Sequence, residues 1–406
     1  MADPAALLAA SRWLAESALA GAAEAALLEG LCRRMQEIGL GLSRVSVGID
    51  TLHPVVGARG FVWRRGVAVD PREIRRSDAS IDDRWQRSPH YHLLQTGERW
   101  LRHRIDPRGA SPRPFPVLDD VAADGATDYV AFLTRFGESA TIGEMDSVYT
   151  SWTTDRPGGF RDDDIEAIDC LVSYLAAAMR QLTVARIAET LVETYLGRDA
   201  GRRVLRGAIA RGTADKIRAV LWFSDLKGFT RLVDTQPPKS IIPLLNDYAD
   251  VLVSAVHRQG GQVLKFIGDG LLGTFETGES VEDCRRALAA AEDAFARVAA
   301  LNARRAAAGL PATGFYLALS IGDVFYGNVG SDDRLDFTVI GPAVNEVTRI
   351  NGMCRALDQD LVVSAAFAEA AGPARARLLG LGRYALRGVA RPQELFTLER
   401  GGEGPT

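Results

Sequence analysis

The apolar residues of the first 181 positions change from helical to alternating spacing and back again. Positions 5–40 carry apolar residues three and four apart, which predicts helix. Alternating stretches then predict strands at 42–56, 60–69, 128–136 and 147–153, with the last two paired. Positions 71–127 hold few periodic signals and are expected to form loops and short elements. The segment 160–181 again has helical spacing, with acidic residues in its first turn, where the helix dipole favours them.

Helical spacing continues beyond this segment, so 164–198 is predicted to form one long helix. Its apolar residues form a heptad-like seam: Ile168, Leu171, Leu175, Ala178 and Leu182. One interpretation is a buried face against a sheet of the same domain. We favour the other, a parallel dimer helix that carries motion between domains, because the seam runs past the expected end of the first domain.

The remainder of the chain alternates helices with strands, which predicts an α+β fold with helices packed on a mostly antiparallel sheet. The predicted helices are 238–259, 281–307 and 343–356. The predicted strands are 218–224, the hairpin 262–275, 313–321, 324–327, 335–340, 361–364 and 394–398.

Two acidic residues lie at turns between these strands. Asp225 ends the apolar strand of AVLWFSDLKGFT, which turns through Gly228, and Asp269 lies between Gly268 and Gly270 at the tip of the hairpin. Both acids could simply cap turns. If the strands are neighbours, however, the two carboxylates meet and suit a pair of divalent cations, the arrangement used for displacement at phosphorus.

A third motif follows the strand 335–340, which breaks at a Gly-Pro pair and enters a helix. Asn345 and Arg349 are four residues apart there and share one helix face. An amide beside a guanidinium can grip a pentavalent phosphorus centre and its leaving oxygens, although a polar pair on a helix surface is the simpler alternative.

These three stretches resemble the class III nucleotidyl cyclases, and they occur in that family's order across about 211–398. The first metal loop is matched through Asp225, and the K-x-x-GD hairpin through Lys265 and Asp269. The VN-x-x-x-R helix is matched through Asn345 and Arg349. The resemblance implies a ferredoxin-like catalytic domain.

The resemblance also implies how phosphates and metal are held. Two Mg²⁺ or Mn²⁺ ions per site are expected on Asp225, Leu226 and Asp269. Backbone N–H groups around 226–230 are expected to cradle phosphate oxygens at a helix start. The residues of that cradle are Gly228, Phe229 and Thr230. Arg387 stands at a position where the family often places a phosphate-contacting lysine. Asn345 would orient the ribose, and Arg349 would stabilise the transferring phosphoryl group.

Two positions are implied to read the base. Lys265 suits the adenine ring N1, an acceptor, whereas guanylate cyclases typically carry Glu there, so Lys265 favours ATP over GTP. Thr338 lies seven residues before Asn345, where many adenylate cyclases have Asp. Thr matches a subgroup that includes soluble, bicarbonate-stimulated adenylate cyclases, so bicarbonate is a hypothetical activator.

The family also builds its site from two subunits, with the metal residues from one and the Asn/Arg pair from the other. This chain carries both halves in one cyclase domain, so the resemblance implies a homodimer with two equivalent sites.

The first part of the chain resembles a GAF-like or PAS-like sensor in its order of helix, mixed strands and loops, and closing helix. The predicted division is a sensor domain at 1–180, a helical linker at 181–210 and a cyclase domain at 211–400. A small-molecule ligand of the sensor is expected, but no residue identifies it.

The amino-acid composition limits the class of protein but does not indicate a particular chemistry. The 406 residues are 47% hydrophobic and 25% charged with a net charge of −4, which is ordinary for a globular protein and gives no indication of nucleic-acid binding. The four cysteines are scattered and form no C-x-x-C pair. No stretch approaches the roughly 20 apolar residues of a membrane helix, so we expect no membrane span and a cytoplasmic location.

The function predicted from the sequence is therefore an adenylate cyclase that converts ATP to 3′,5′-cyclic AMP and pyrophosphate. A guanylate cyclase is the first alternative, which Lys265 disfavours. A non-catalytic signalling module with the cyclase fold is the second, and the presence of all four catalytic positions argues against it.

Overall fold

The computed structural model describes residues 3–76, 79–106, 113–389 and 392–399. The chain forms two compact units, Met1–Leu191 and Val192–Thr406, and each is described by itself. The division falls inside one long helix.

The N-terminal unit is built on a six-stranded antiparallel sheet. Its strands are β1 Leu42–Asp50, β2 Val56–Arg64, β3 Val67–Arg75, β4 Trp100–Arg104, β5 Asp128–Arg135 and β6 Ser147–Thr154, in the order β3-β2-β1-β6-β5-β4. Its helices are α1 Pro4–Leu19, α2 Glu24–Glu37, α3 Ala79–Gln86, α4 Pro89–Thr96, α5 Pro116–Ala123 and α6 Asp162–Leu196.

Strand alternation divides the core of this unit between the two faces of the sheet. Val45, Val47 and Ile49 of β1 are buried in one cluster with residues of α1, α2 and α6. Tyr129 and Leu133 of β5 point the other way, into a smaller cluster with residues of α4 and α5. The predicted pairing of the last two strands is observed as β5 against β6.

Two predictions for this unit are wrong for the same reason. The expected helix at 5–40 is two helices, and the expected strand at 60–69 contains the end of β2 and the start of β3. The chain turns between them at Gly21 and at Gly66, whose φ angles are +72° and +75°. Glycine adopts this left-handed conformation at little cost, so single glycines can end both kinds of element.

Helix α6 is the one helix among the described residues that is long and apolar enough to cross a membrane by length and composition. Half of its apolar window is buried inside the protein. Ile168, Leu171 and Leu175 are buried in the same core cluster as the β1 valines. This part of the seam is therefore a face buried against the sheet of its own unit, and the favoured interpretation as a dimer seam is wrong for it. The expectation that no stretch approaches a membrane helix is not met by α6, and the absence of a membrane span and the cytoplasmic location both stay predictions.

The C-terminal unit is built on an eight-stranded sheet. Its strands are β7 Ala214–Leu226, β8 Gln262–Ile267, β9 Gly270–Phe275, β10 Phe315–Gly330, β11 Leu335–Ile340, β12 Leu361–Ser364, β13 Leu378–Tyr384 and β14 Gln393–Leu398. The order is β13-β14-β12-β10-β7-β9-β8, with β11 paired to β10, and among the described strands of this unit β10 with β12 is the one parallel pair. Its helices are α7 Arg198–Leu205, α8 Phe229–Thr235, α9 Pro238–Arg258, α10 Ser280–Ala307, α11 Pro342–Cys354 and α12 Ala365–Ala370.

Central strand β7 shows how this sheet is covered on both faces. Val220 and Trp222 point into a cluster formed with α9 and α10. Leu221 points the opposite way, into a cluster that contains Val347 and Ile350 of α11. Asp225 follows Leu221 at an even spacing, so alternation places it on the α11 face of the sheet.

The elements of this unit differ from prediction mainly where they are short or continuous. The two strands expected at 313–321 and 324–327 are one strand, β10, because its pairing with β7 runs without a break. Helices α8 and α12 and strand β13 were not predicted. Each has seven residues or fewer, too few for a periodic pattern to stand out.

Candidate active site

The two acidic residues at strand turns lie side by side. Asp225 is the last but one residue of β7, whose neighbour β9 places Leu271 opposite Ser224. Asp269 lies in the two-residue turn that precedes β9. Its Oδ2 accepts a hydrogen bond from the backbone N–H of Leu226 at 3.3 Å, and its carboxyl group contacts that of Asp225 at hydrogen-bond range.

Two glycines allow this approach. Gly268 has a φ of +64°, as the first residue of a tight hairpin turn requires. A Cβ on Gly270 would come within 3.0 Å of the backbone oxygen of Ser224, closer than real Cβ contacts allow without adjustment. Glycine at both positions therefore brings the hairpin tip against the end of β7.

The acid pair carries uncompensated negative charge. Partial burial and the neighbouring Asp269 carboxyl raise the pKa of Asp225 to about 7. Among the described residues, no lysine, arginine or histidine forms an ion pair with either carboxylate. A divalent cation would relieve this repulsion, and hard oxygen ligands suit Mg²⁺ and Mn²⁺.

The protein supplies few ligands besides these two. The described residues contain no group of three or more His, Cys, Asp and Glu side chains that could hold a metal ion. The Leu226 side chain is buried in the core, so only its main-chain carbonyl could contribute. Such a site suits an ion that keeps water or substrate phosphate in its coordination shell, as Mg²⁺ does.

The loop after β7 turns through Gly228, in the left-handed conformation at a φ of +61°, and α8 begins at Phe229. The Leu226 amide donates to Asp269 and the Lys227 amide to the carbonyl of Gly314. The backbone N–H groups of Leu226 and Lys227 are therefore already engaged within the protein. Of the predicted phosphate cradle, this leaves the N–H groups of Gly228, Phe229 and Thr230.

Lys265 lies on β8 and forms an ion pair with Asp336 of β11. Its neighbour Leu264 is buried, but Phe266 is 58% exposed, because β8 is the edge strand of the sheet. Thr338 lies on β11 and is buried, opposite Gly327 of β10.

Asn345 and Arg349 lie one turn apart on α11, and both are exposed. Asn345 lines a cavity of about 660 Å³ together with Gly388 and Val389. Arg387 directly precedes Gly388 and is exposed in a turn.

Asn345 and Arg349 make no polar bond to the acid pair. Of the hydrogen bonds and ion pairs between described residues, none connects the Asn345 or Arg349 side chain with Asp225 or Asp269. The end of α11 does reach β7, where the Asn351 amide donates to the carbonyl of Phe223 at 3.2 Å.

Sequence reasoning missed one charged residue of this region. Asp336, the partner of Lys265, lies two residues before Thr338 on the same strand. Its position relative to Thr338 could have indicated a shared strand face, but its contact with β8 could not be read from the chain.

No protein-family model matches the chain. An uncharacterized protein of Mycobacterium tuberculosis is 30% identical over 214 residues, which is 52% of this chain and 37% of that protein. Adenylate cyclase of Anabaena cylindrica is 29% identical over 213 residues, 50% of this chain and 41% of the relative. The chain thus spans about two fifths of the curated relatives that it matches.

Solved structures similar to this chain include both kinds of cyclase. The adenylyl cyclase CyaB from P. aeruginosa has 21% identity and a TM-score of 0.42, over 47% of this chain and 98% of that one. The guanylyl cyclase Cya2 has 26% identity and a TM-score of 0.41, over 47% and 95%. The predicted resemblance to the class III cyclases is confirmed by the relative named adenylate cyclase. The GAF-like assignment of the N-terminal unit stays a prediction.

Proposed function

We propose that this protein is an adenylate cyclase that converts ATP to 3′,5′-cyclic AMP and pyrophosphate. The observation that carries the proposal is the contact between Asp225 and Asp269, two acids 44 positions apart that meet without a cationic partner among the described residues. Two neighbouring carboxylates at strand ends repel each other and do not stabilise the fold, but they form a suitable cation site.

In the proposed reaction the ribose 3′-oxygen attacks the α-phosphorus, the bond from that phosphorus to the bridging oxygen breaks, and pyrophosphate leaves. Two Mg²⁺ or Mn²⁺ ions held by Asp225, Asp269 and the Leu226 carbonyl would supply activation of the hydroxyl and neutralisation of the leaving group. The amides of Gly228, Phe229 and Thr230 hold phosphate oxygens.

The remaining roles belong to the other polar residues of the unit. Lys265 and Thr338 contact the base, as donor to a ring nitrogen and acceptor from an exocyclic amine. Asn345 orients the ribose, and Arg349 stabilises the charge on the transferring phosphoryl group. Arg387 binds phosphate as a bidentate donor.

A homodimer would complete the site. Asn345 and Arg349 are exposed, and among the described residues their side chains form no hydrogen bond or ion pair with the acid pair of their own chain, which supports their use by a second copy. We expect Asp225→Ala and Arg349→Ala to be inactive alone, and their mixture to regain activity because one site per dimer is intact. Mixed dimers without any activity would contradict a shared site.

The choice of ATP over GTP rests on Lys265, and guanylate cyclase remains the alternative. An assay of cyclic nucleotide product with ATP or GTP and Mn²⁺ separates the two and also tests for an inactive module. Bicarbonate activation is a further hypothesis based on Thr338. A rate that stays flat across a bicarbonate titration at fixed pH would refute it.

The N-terminal unit is proposed to be a GAF-like sensor that regulates the cyclase. Its sheet carries helices on both faces, and its closing helix, α6, continues five residues past Leu191. A chain that begins at residue 182 should lose regulation and change its basal rate. Equal rates with and without the first 181 residues would argue against a regulatory role.

A further inference from the structure

An ion pair between two strands distant in sequence lies in the region where the base is expected. The ammonium group of Lys265 on β8 contacts the Oδ2 of Asp336 on β11, 71 positions later. Their side chains are 28% and 56% exposed, so the pair lies at the surface rather than in the core. A ligand can therefore reach both charges.

Strand register places a third polar group beside this pair. Asp336 and Thr338 stand opposite Val329 and Gly327 of β10, two residues apart. Side chains at that spacing share one face of a strand and lie about 7 Å apart along it. Phe337, between them, is buried in the core cluster. One strand face thus carries the exposed carboxylate of Asp336 and then the largely buried Thr338.

The chemistry of lysine explains why such a partner matters. The side chain has four rotatable bonds, so holding its ammonium group in one place costs conformational entropy. The ion pair with Asp336 favours one position before a ligand binds. The ammonium has three N–H donors, and one bond to Asp336 leaves two for a ring nitrogen.

We propose that Asp336 is a positioning residue for base recognition, which holds Lys265 where it donates to a purine ring nitrogen. This inference rests on the proposed function and identifies a residue that determines which base is bound. The ligand is a nucleoside triphosphate whose base offers a ring acceptor next to an exocyclic amine, as adenine does. Guanine presents an N–H donor at the equivalent ring position, so a lysine fixed in this way disfavours it.

The test uses the full chain and four variants: Asp336→Asn, Asp336→Glu, Lys265→Ala and the double variant of Lys265→Ala with Asp336→Asn. Asp332→Asn is the matched control, because Asp332 forms its ion pair with Arg211 and is 89% exposed. Initial rates are measured with ATP and with GTP. Binding of 3′-deoxy-ATP and 3′-deoxy-GTP, which cannot cyclise, is measured in parallel.

We expect Asp336→Asn to raise the KM for ATP about tenfold, with kcat changed less than about threefold, as loss of binding shared by ground and transition state predicts. The preference for ATP over GTP should fall by a similar factor. Asp336→Glu should restore most of it, and Asp332→Asn should behave as the wild type. In the Lys265→Ala background, Asp336→Asn should have no further effect, because it acts through the lysine.

Two results would overturn the inference: an unchanged KM and base preference in Asp336→Asn, or an added loss when it is combined with Lys265→Ala. The binding arm separates this inference from the proposed function. If the wild type makes no cyclic nucleotide, but Asp336→Asn lowers the binding preference for 3′-deoxy-ATP over 3′-deoxy-GTP, the cyclase proposal is refuted and the positioning role is retained. If the wild type converts ATP, but Asp336→Asn leaves KM and base preference unchanged, the positioning role is refuted and the cyclase proposal is retained.

Discussion

Two buried acids of the N-terminal unit and the half-buried acid pair of the C-terminal unit have opposite kinds of partner. In the N-terminal unit, Asp128 is fully buried and its Oδ2 accepts from Arg102 at 2.7 Å, while Asp164 is bonded by Arg156 at 2.6 Å. In the C-terminal unit, Asp225 faces another acid. The first arrangement supplies each buried carboxylate with a fixed arginine, and the second does not.

This difference indicates what each set of acids is for. A buried carboxylate with a fixed arginine is satisfied within the fold, and removing either partner is costly. Two neighbouring carboxylates destabilise each other unless a cation joins them. Asp128 and Asp164 are therefore interpreted as structural, and the acid pair of the C-terminal unit as functional.

The largest expected effect is on activity. Asp225→Asn should lower the cyclase rate by at least about 10³-fold, because it removes a metal ligand, while the melting temperature stays the same or rises as the like-charge repulsion disappears. Rates and thermal unfolding are measured together. Asp250→Asn, at an exposed position of α9, is the control and should leave both unchanged. A melting temperature that falls with the rate would assign Asp225 a structural role.

The reverse pattern is expected for Asp128→Asn. It leaves Arg102, which is only 17% exposed, without its buried partner and should lower the free energy of unfolding by about 3 kcal/mol. Asp162→Asn removes the exposed partner of the same arginine, because Asp162 is 92% exposed. It should lower the free energy of unfolding by under about 0.5 kcal/mol. Denaturant titrations followed by tryptophan fluorescence measure both. Equal losses would contradict the distinction between buried and exposed partners.

A third acid gives the N-terminal unit a pH dependence. Burial, opposed by a hydrogen bond from Tyr149 at 2.9 Å, raises the pKa of Asp50 to about 6. The folded state then keeps a proton that the unfolded chain loses near pH 4, so stability should fall as pH rises from about 4 to 6, by about 3 kcal/mol. Asp50→Asn should remove that slope, and Glu98→Gln, at an exposed position, should retain it. If the pH dependence of stability is unchanged in Asp50→Asn, other groups are responsible for it.

The smallest effect is expected for an exposed pair. Arg12 and Glu16 lie 2.8 Å apart on α1 with 79% and 60% of their side chains exposed. Glu16→Gln should change the free energy of unfolding by less than about 0.5 kcal/mol. A loss as large as that of Asp128→Asn would show that burial does not separate the two classes of ion pair.

Sequence reasoning succeeded where the signals were local. The turn residues around Asp225 and Asp269 indicated both strand ends, and the strand pairing then brought the acids together. The α+β character and the long elements of the C-terminal unit followed from apolar spacing. The roles assigned to the site residues stay predictions.

It failed where structure depends on contacts between distant residues or on one glycine. The ion pair of Lys265 with Asp336 follows from how β11 lies against β8, which no local pattern encodes. Gly21 and Gly66 ended elements that apolar spacing alone continued.

Calorimetric titration of the protein with Mn²⁺ in the absence of nucleotide tests the central claim most directly. We expect heat of binding in the wild type that is lost in both Asp225→Asn and Asp269→Asn, and retained in Asp250→Asn. Binding of equal affinity in all four proteins, or no binding to the wild type with and without ATP, would contradict the claim that this acid pair is a cation site.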